Sequence, residues 1–129
     1  MSSFLLDTHL LLWVAFEPEK LSSSARMVLN DPSNSLSFSS ASIWEVVVKR
    51  ALNKPDFQFD PILLRRLLVD DGYREIDITS VHALHVALLQ QLHKDPFDRL
   101  LIAQAEVEGL TLLTADKKIA GYSASIQLV

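Results

Sequence analysis

Short apolar runs alternate with helix-patterned stretches along all 129 residues of this chain, and no hairpin dipeptide such as Asn-Gly interrupts them. The runs at Ser2–Leu6, Leu36–Ser39, Tyr73–Ile78, Thr111–Leu113 and Ser125–Leu128 have the length and composition of strands. Between them, helical patterning predicts helices over His9–Phe16, Ser22–Asp31, Ile43–Leu52, Ile62–Asp70, Val81–Leu92, Phe97–Glu108 and Asp116–Ala120. The punctuation agrees. Asp60-Pro61 and Asp95-Pro96 each pair a capping carboxylate with a proline at the first helical position. Ser22 or Ser23 caps the second helix. Gly72 and Gly109 are helix stops, and Pro18, Pro32 and Pro55 close other helices. Strands separated by helices pair in parallel through crossovers. The pattern therefore predicts an α/β fold, a three-layer α/β/α sandwich around a mostly parallel sheet. Leu84, Ala87, Leu88 and Leu92 are expected to face inward from their helix.

The chain is one domain long, 1–129, and 49% of it is hydrophobic with a mean hydropathy of +0.21, ample for a core without staples. It has no cysteine, which excludes disulfides and thiolate metal sites. The opening MSSFLLDTHLLLWVAF lacks a basic leading region, and Asp7 and His9 break its apolar run. No stretch reaches the roughly 18 apolar residues of a membrane span. A soluble, cytoplasmic protein with no membrane partner is expected. A net charge of −4 and a pI near 5.5 argue against a simple nucleic-acid binder, which carries a basic footprint. That objection weakens if several acids are neutralised by metal.

Four acids, Asp7, Glu45, Asp98 and Asp116, sit where a strand-like run gives way to a helix, or in the first turns of one. Acids at the carboxyl ends of neighbouring parallel strands lie on the edge where open α/β sheets bind ligands. Each has a local explanation. Asp7 and Asp116 suit helix caps. Ser42 to Glu45 has capping-box spacing. Asp98 falls near the positive end of a helix dipole. Glu45 lies among Ile43, Trp44, Val46, Val47 and Val48, a poor place for an uncompensated charge, and Lys49, one turn on, could pair with it. Two carboxylates about 5 Å apart repel by roughly 3 kcal/mol at an effective dielectric of about 20. A cluster of four therefore calls for cations, and oxygen-only donors suit Mg²⁺, with Mn²⁺ as a substitute, rather than Zn²⁺. Acid-held magnesium serves phosphodiester hydrolysis well.

The segments LLDTHLLLW at 5–13, SSASIWEVVVK at 39–49, HKDPFDRLLIAQA at 93–105 and LLTADKKIAGY at 112–122 resemble the PIN-domain family, in particular VapC-type toxins of bacterial toxin–antitoxin pairs. The resemblance covers nearly the whole chain. It implies a metal-dependent endoribonuclease, usually a homodimer, blocked by a cognate antitoxin and acting on RNA of the tRNA or ribosomal class. It implies that Asp7, Glu45, Asp98 and Asp116 are the catalytic and metal-binding acids, and that Thr114 is the family's hydroxyl two positions before the last acid. Many members place the third acid one residue later, where this chain has Arg99, and Asp95 is also near. Asp98 is preferred because Asp95 is the natural cap. Glu45 is the residue expected to orient or deprotonate the attacking water.

Thr8, Arg99, Thr114 and Lys117 are candidate substrate contacts, the two cations through RNA phosphates. Lys49, Arg50, Lys54, Arg65, Arg66 and Arg74 are candidates for an RNA-facing surface or plain solubility charges. His82 and His85 have ligand spacing, with a structural role as the simpler reading. His93 is placed to hydrogen-bond near the site. Trp13 and Trp44 read as core or dimer-interface residues, with base stacking as the alternative. Two other functions remain open. One is a PIN-like RNA-binding module without catalysis. The other is a haloacid-dehalogenase-like phosphatase, against which His9 stands where that family's D-x-D motif has its second acid.

Overall fold

A computed structural model describes residues 2–89 and 95–129. Five strands, β1 (Ser3–Leu6), β2 (Ser35–Ser39), β3 (Arg74–Ile76), β4 (Thr111–Thr114) and β5 (Ile126–Leu128), form one sheet in the order β3-β2-β1-β4-β5. All neighbouring pairs are parallel. Among the described residues the helices are α1 (Thr8–Phe16), α2 (Ser23–Asn30), α3 (Ser40–Arg50), α4 (Pro61–Asp70), α5 (Ser80–His85), α6 (Pro96–Glu108) and α7 (Lys117–Ala120). Short 3-10 turns follow α1 at Pro18–Lys20 and α5 at Val86–Leu88.

Side chains alternate across a strand, so the apolar run of β1 serves both faces of the sheet. Phe4 and Leu6 point one way and pack with Phe38 and Leu113, against Leu10, Leu11 and Leu12 of α1 and Leu64 and Leu68 of α4. Leu5 points the other way with Leu112, against Leu101, Ile102 and Ala105 of α6. The register opposes Leu5 to Leu112 and Leu6 to Leu113, which keeps each face continuous. The result is the expected three-layer sandwich, with β1 at its centre, two strands on either side of it, and both of its faces buried. From β1 the chain winds outward through β2 to β3, then returns to lay β4 and β5 on the other side. The reversal falls between β1 and β4, and such a switch point opens a crevice beyond the carboxyl ends of the strands.

Several local expectations are corrected. The capping box from Ser42 to Glu45 does not form. Helix α3 begins at Ser40, because Ser39 ends β2 in an extended conformation and its hydroxyl accepts the Ala41 N–H at 3.0 Å. Ser42 is buried inside the helix instead. Strand β3 is shorter than Tyr73–Ile78. Helix α5 stops at His85, and Leu84 and Leu88 are 74% and 78% exposed rather than inward, with Ala87 also exposed. The inward position belongs to His82, whose Nδ1 accepts the Thr79 N–H while Nε2 lies 2.8 Å from Glu108. His85 pairs with Glu106 at 2.8 Å, so the two histidines tie α5 to α6 and share no ligand. Leu92 and His93 lie outside the described residues. Trp44 is 59% exposed and is not a core residue. Among the described residues no helix is long and apolar enough to cross a membrane.

Candidate functional site

Asp7 leaves the carboxyl end of β1 in an extended conformation, which is what a helix cap requires. Its Oδ1 accepts the Leu10 N–H at 2.9 Å, and its Oδ2 accepts a hydrogen bond from Thr114 Oγ1 at the end of β4. The same threonine oxygen accepts the Asp116 N–H at 2.9 Å. One buried hydroxyl thus links the acids at the ends of the two central strands. Asp116 caps α7, its Oδ1 accepting the Lys118 N–H at 2.8 Å.

Glu45 sits one turn into α3 and is only 2% exposed. Its Oε1 accepts from Thr8 Oγ1 at 2.6 Å, and its Oε2 accepts from the Lys49 ammonium. The i to i+4 spacing within α3 brings these two charges together, and the pairing explains how Val46 and Ile43 tolerate a carboxylate between them. Asp95 caps α6 through bonds from the Phe97 and Asp98 amides at 2.9 and 3.4 Å. Asp98 follows in the first turn of that helix.

These elements enclose a cavity of about 300 Å³ whose walls carry Asp7, Glu45, Asp95, Asp98 and Asp116. Among the described residues Lys49 is the lysine that faces them, with His9, Trp13 and Ala115 completing the lining. A recess of the same volume between α1 and α4, lined by Val14, Leu67, Asp70 and Asp71 among others, gathers no such set. Burial, and to a lesser degree neighbouring charge, shows in the ionisation of Asp7. Burial pushes the Asp7 carboxyl up from 3.8 to about 6, and the charge of Asp98 adds to this against the opposing bonds from Thr114 and Leu10. Burial acts to lower the Lys49 ammonium, but the bond and charge of Glu45 and the charges of Asp95 and Asp98 outweigh it and hold it above its usual range.

The four acids singled out from the sequence therefore meet, and Asp95 joins them while also serving as the cap. The donors are all carboxylate oxygens, the type that hard divalent cations prefer. By donor chemistry and charge the set fits such an ion. Among the described residues no three acidic or histidine side chains already stand in a geometry that grips one, and the ammonium of Lys49 takes an oxygen of Glu45. Thr8 and Thr114 are 3% and 0% exposed, and their hydroxyls are directed at Glu45 and Asp7. Both hydroxyls are taken up by acids in this structure, and neither threonine lines the cavity. Arg99 donates from Nη2 to the Val86 carbonyl at 3.1 Å and does not line the cavity. Lys117 is exposed at the start of α7 beside Asp116. His9 and Trp13 are additions to the site. Their i, i+4 spacing on α1, directly after Asp7, is the signal that points to them.

Thr114→Val keeps the shape of the side chain and removes its hydroxyl. It leaves an oxygen of Asp7 and the Asp116 amide without their shared partner. A loss of about 1–3 kcal/mol in stability is expected, together with a fall of about 10–100-fold in divalent-ion affinity, as is usual when a group that orients a ligand is removed. Chemical denaturation and isothermal titration with Mn²⁺ measure the two effects.

Comparison with known proteins places the chain. The family model described as PIN domain matches residues 4–124. Ribonuclease VapC22 of Mycobacterium tuberculosis is similar at 29% identity over 123 residues, covering 95% of this chain and 93% of that protein. A chain in the crystal structure of VapBC2 from Rickettsia felis, bound to a DNA fragment from its promoter, superposes with a TM-score of 0.69 at 17% identity over 98% of this chain and 97% of that one. A chain of a toxin–antitoxin complex from Klebsiella pneumoniae gives a TM-score of 0.63 at 21% identity, covering 95% and 94%. At these identities the two structures bear on the fold alone.

Proposed function

The chain belongs to the PIN-domain family, and from that premise we propose that it is a metal-dependent endoribonuclease, the toxin of a toxin–antitoxin pair. The observation that carries the reading is the convergence of Asp7, Glu45, Asp98 and Asp116, from four separate segments, on one cavity beyond β1 and β4. The similarity to a protein named as a ribonuclease supports RNA as the substrate, and the tRNA or ribosomal class follows from the resemblance. The fold shared with chains of toxin–antitoxin complexes supports a cognate antitoxin as partner. A homodimer is expected with it.

Asp7, Glu45, Asp98 and Asp116 would hold Mg²⁺, with Mn²⁺ as a substitute. Such an ion, when bound, supplies Lewis acidity to a phosphoryl oxygen and acidifies water. The protein's part is positioning. Thr114 aligns Asp7 with Asp116, and Thr8 fixes one oxygen of Glu45. The other oxygen, Glu45 Oε2, is the atom that orients the attacking water or takes its proton once Lys49 releases it.

Purified protein is expected to cleave RNA in Mg²⁺ and to stop on addition of EDTA. Asp98→Asn should lower cleavage by at least about 100-fold, a larger effect than loss of an orienting group. Asp95→Asn keeps the cap and should stay within about tenfold. The reverse ranking would move the third position to Asp95. Cleavage that ignores EDTA, or no cleavage by the unaltered protein, would sink the assignment.

A further inference from the structure

Beside the acidic cavity lies a second recess of about 290 Å³, whose lining includes Trp13, Glu17, Asp56, Phe57 and Phe59. The two cavities share a wall, since His9 and Trp13 line both. His9, Trp13 and Glu17 stand four residues apart along and just past α1, so they form one stripe. Phe59 stacks on Phe16 with ring centres 5.6 Å apart, and Phe57 meets Phe59 edge-on at 5.1 Å. Trp13, Phe57 and Phe59 are partly buried, packed against the core. This fixes the aromatic wall in place. Holding a divalent cation needs none of these aromatic groups.

We propose that this recess holds one unpaired guanine base of the RNA, next to the phosphodiester that lies in the acidic cavity. The inference rests on the ribonuclease reading and names the part of the substrate that is read. Sequence-specific RNA recognition targets unstacked bases, which stack on aromatic side chains. The volume is at the lower end for ligand pockets, about 300–1,000 Å³, and suits one flat ring system. The polar groups favour a base over the backbone, because the Lys20 ammonium that also lines the recess is held by Glu17. Glu17 and Asp56 are carboxylates that only accept hydrogen bonds and repel phosphate. Glu17 is engaged by Lys20 at 2.7 Å, so the exposed Asp56 is the reader. Guanine sets N1–H and N2–H side by side against the two oxygens of one carboxylate. Uracil offers one N–H flanked by two carbonyl oxygens, which a carboxylate repels. Stacking on an aromatic side chain is worth about 5- to 150-fold in affinity per base.

The chain has two tryptophans, so a Trp44→Phe background leaves Trp13 as the only reporter. Titration with guanosine 5′-monophosphate in Mg²⁺ should quench Trp13 fluorescence at concentrations at least about fivefold lower than uridine 5′-monophosphate requires. Phe57→Leu should weaken the guanosine response by about tenfold. Asp56→Asn, an exposed change that leaves folding untouched, should erase the preference for guanosine. In cleavage assays the unaltered protein should cut beside guanosine, and Asp56→Asn should lose that bias. Absence of quenching by the guanosine nucleotide, or equal responses to both nucleotides, overturns the proposal. The fluorescence measurement needs no cleavage. A protein that binds guanosine this way but cuts no RNA would keep the subsite and sink the nuclease reading. One that cuts RNA without any guanosine preference would do the opposite.

Discussion

Asp7→Asn is expected to end RNA cleavage and, at neutral pH without metal, to make the protein more stable. Asp7 is 5% exposed, and burial raises its carboxyl from 3.8 to about 6. The folded protein therefore holds this proton more tightly than the unfolded chain does. Between about pH 4 and pH 6 the unfolded chain has released the proton while the native state keeps it, so stability falls as pH rises through that window. Above it the penalty is complete, about 3 kcal/mol for a rise of this size. Asparagine carries no charge and caps a helix as well as aspartate does, so the bond from Leu10 survives. The amide that replaces Oδ2 no longer accepts from Thr114 and offsets part of this gain, so the variant should melt about 5 °C higher than the unaltered protein at pH 7.5 in EDTA, and no higher than it at pH 4. Its cleavage rate should drop by at least about 100-fold. A variant that melts lower at pH 7.5 would show that Asp7 is comfortable as an anion without a cation. Added Mn²⁺ should raise the melting temperature of the unaltered protein and narrow the gap.

Lys49→Met is expected to act in the opposite direction. It keeps the aliphatic stem and removes the ammonium from Glu45, a carboxylate that is 2% exposed. Breaking a buried ion pair from one side destabilises by about 3–5 kcal/mol. The Lys49 side chain is 32% exposed, so solvent takes up part of the loss and about 2 kcal/mol is the expected figure. A divalent cation supplies the missing positive charge. Mn²⁺ should therefore restore the melting temperature of Lys49→Met more than it raises that of the unaltered protein, and should bind the variant more tightly because no ammonium competes for Glu45. In a Glu45→Gln background the lysine answers only the charges of Asp95 and Asp98, and Lys49→Met should then cost less than it does beside Glu45. A variant that binds Mn²⁺ more weakly than the unaltered protein would show that Lys49 helps the ion rather than competing with it.

The parts of this site that local rules govern could be read from the sequence. Asp7, Asp60 and Asp95 accept from backbone amides two or three residues ahead, and each does so in the structure. The pairing of Lys49 with Glu45 follows from helical spacing alone. What went astray had competing long-range claims. Ser42 has the spacing of a cap, yet it is drawn under α1, where Thr8 Oγ1 lies 3.0 Å from its hydroxyl, and Ser39 takes the capping role. Leu84 and Leu88 fit an inward stripe, but α5 turns His82 inward to meet Glu108, and the stripe faces out. Arg99 sits one residue after a proposed ligand, and the Val86 carbonyl claims it.

The sequence by itself determined which segments are strands and helices, where most helices start, and that four acids stand at or within the first two turns of such helices. Those properties depend on backbone sterics and on hydrogen bonds that close within one helical turn. Only the tertiary structure decided that β4 lies beside β1, because strand order is set by burying both faces of the sheet and leaves no mark in any short window. That adjacency lets Thr114 reach Asp7 across 107 residues. The packing of α3 against α1 likewise lets Thr8 reach Glu45 across 37. Two capping acids, Asp7 and Asp116, and two from within helices, Glu45 and Asp98, thereby line one acidic cavity, with hydroxyls behind the acids and an ammonium among them.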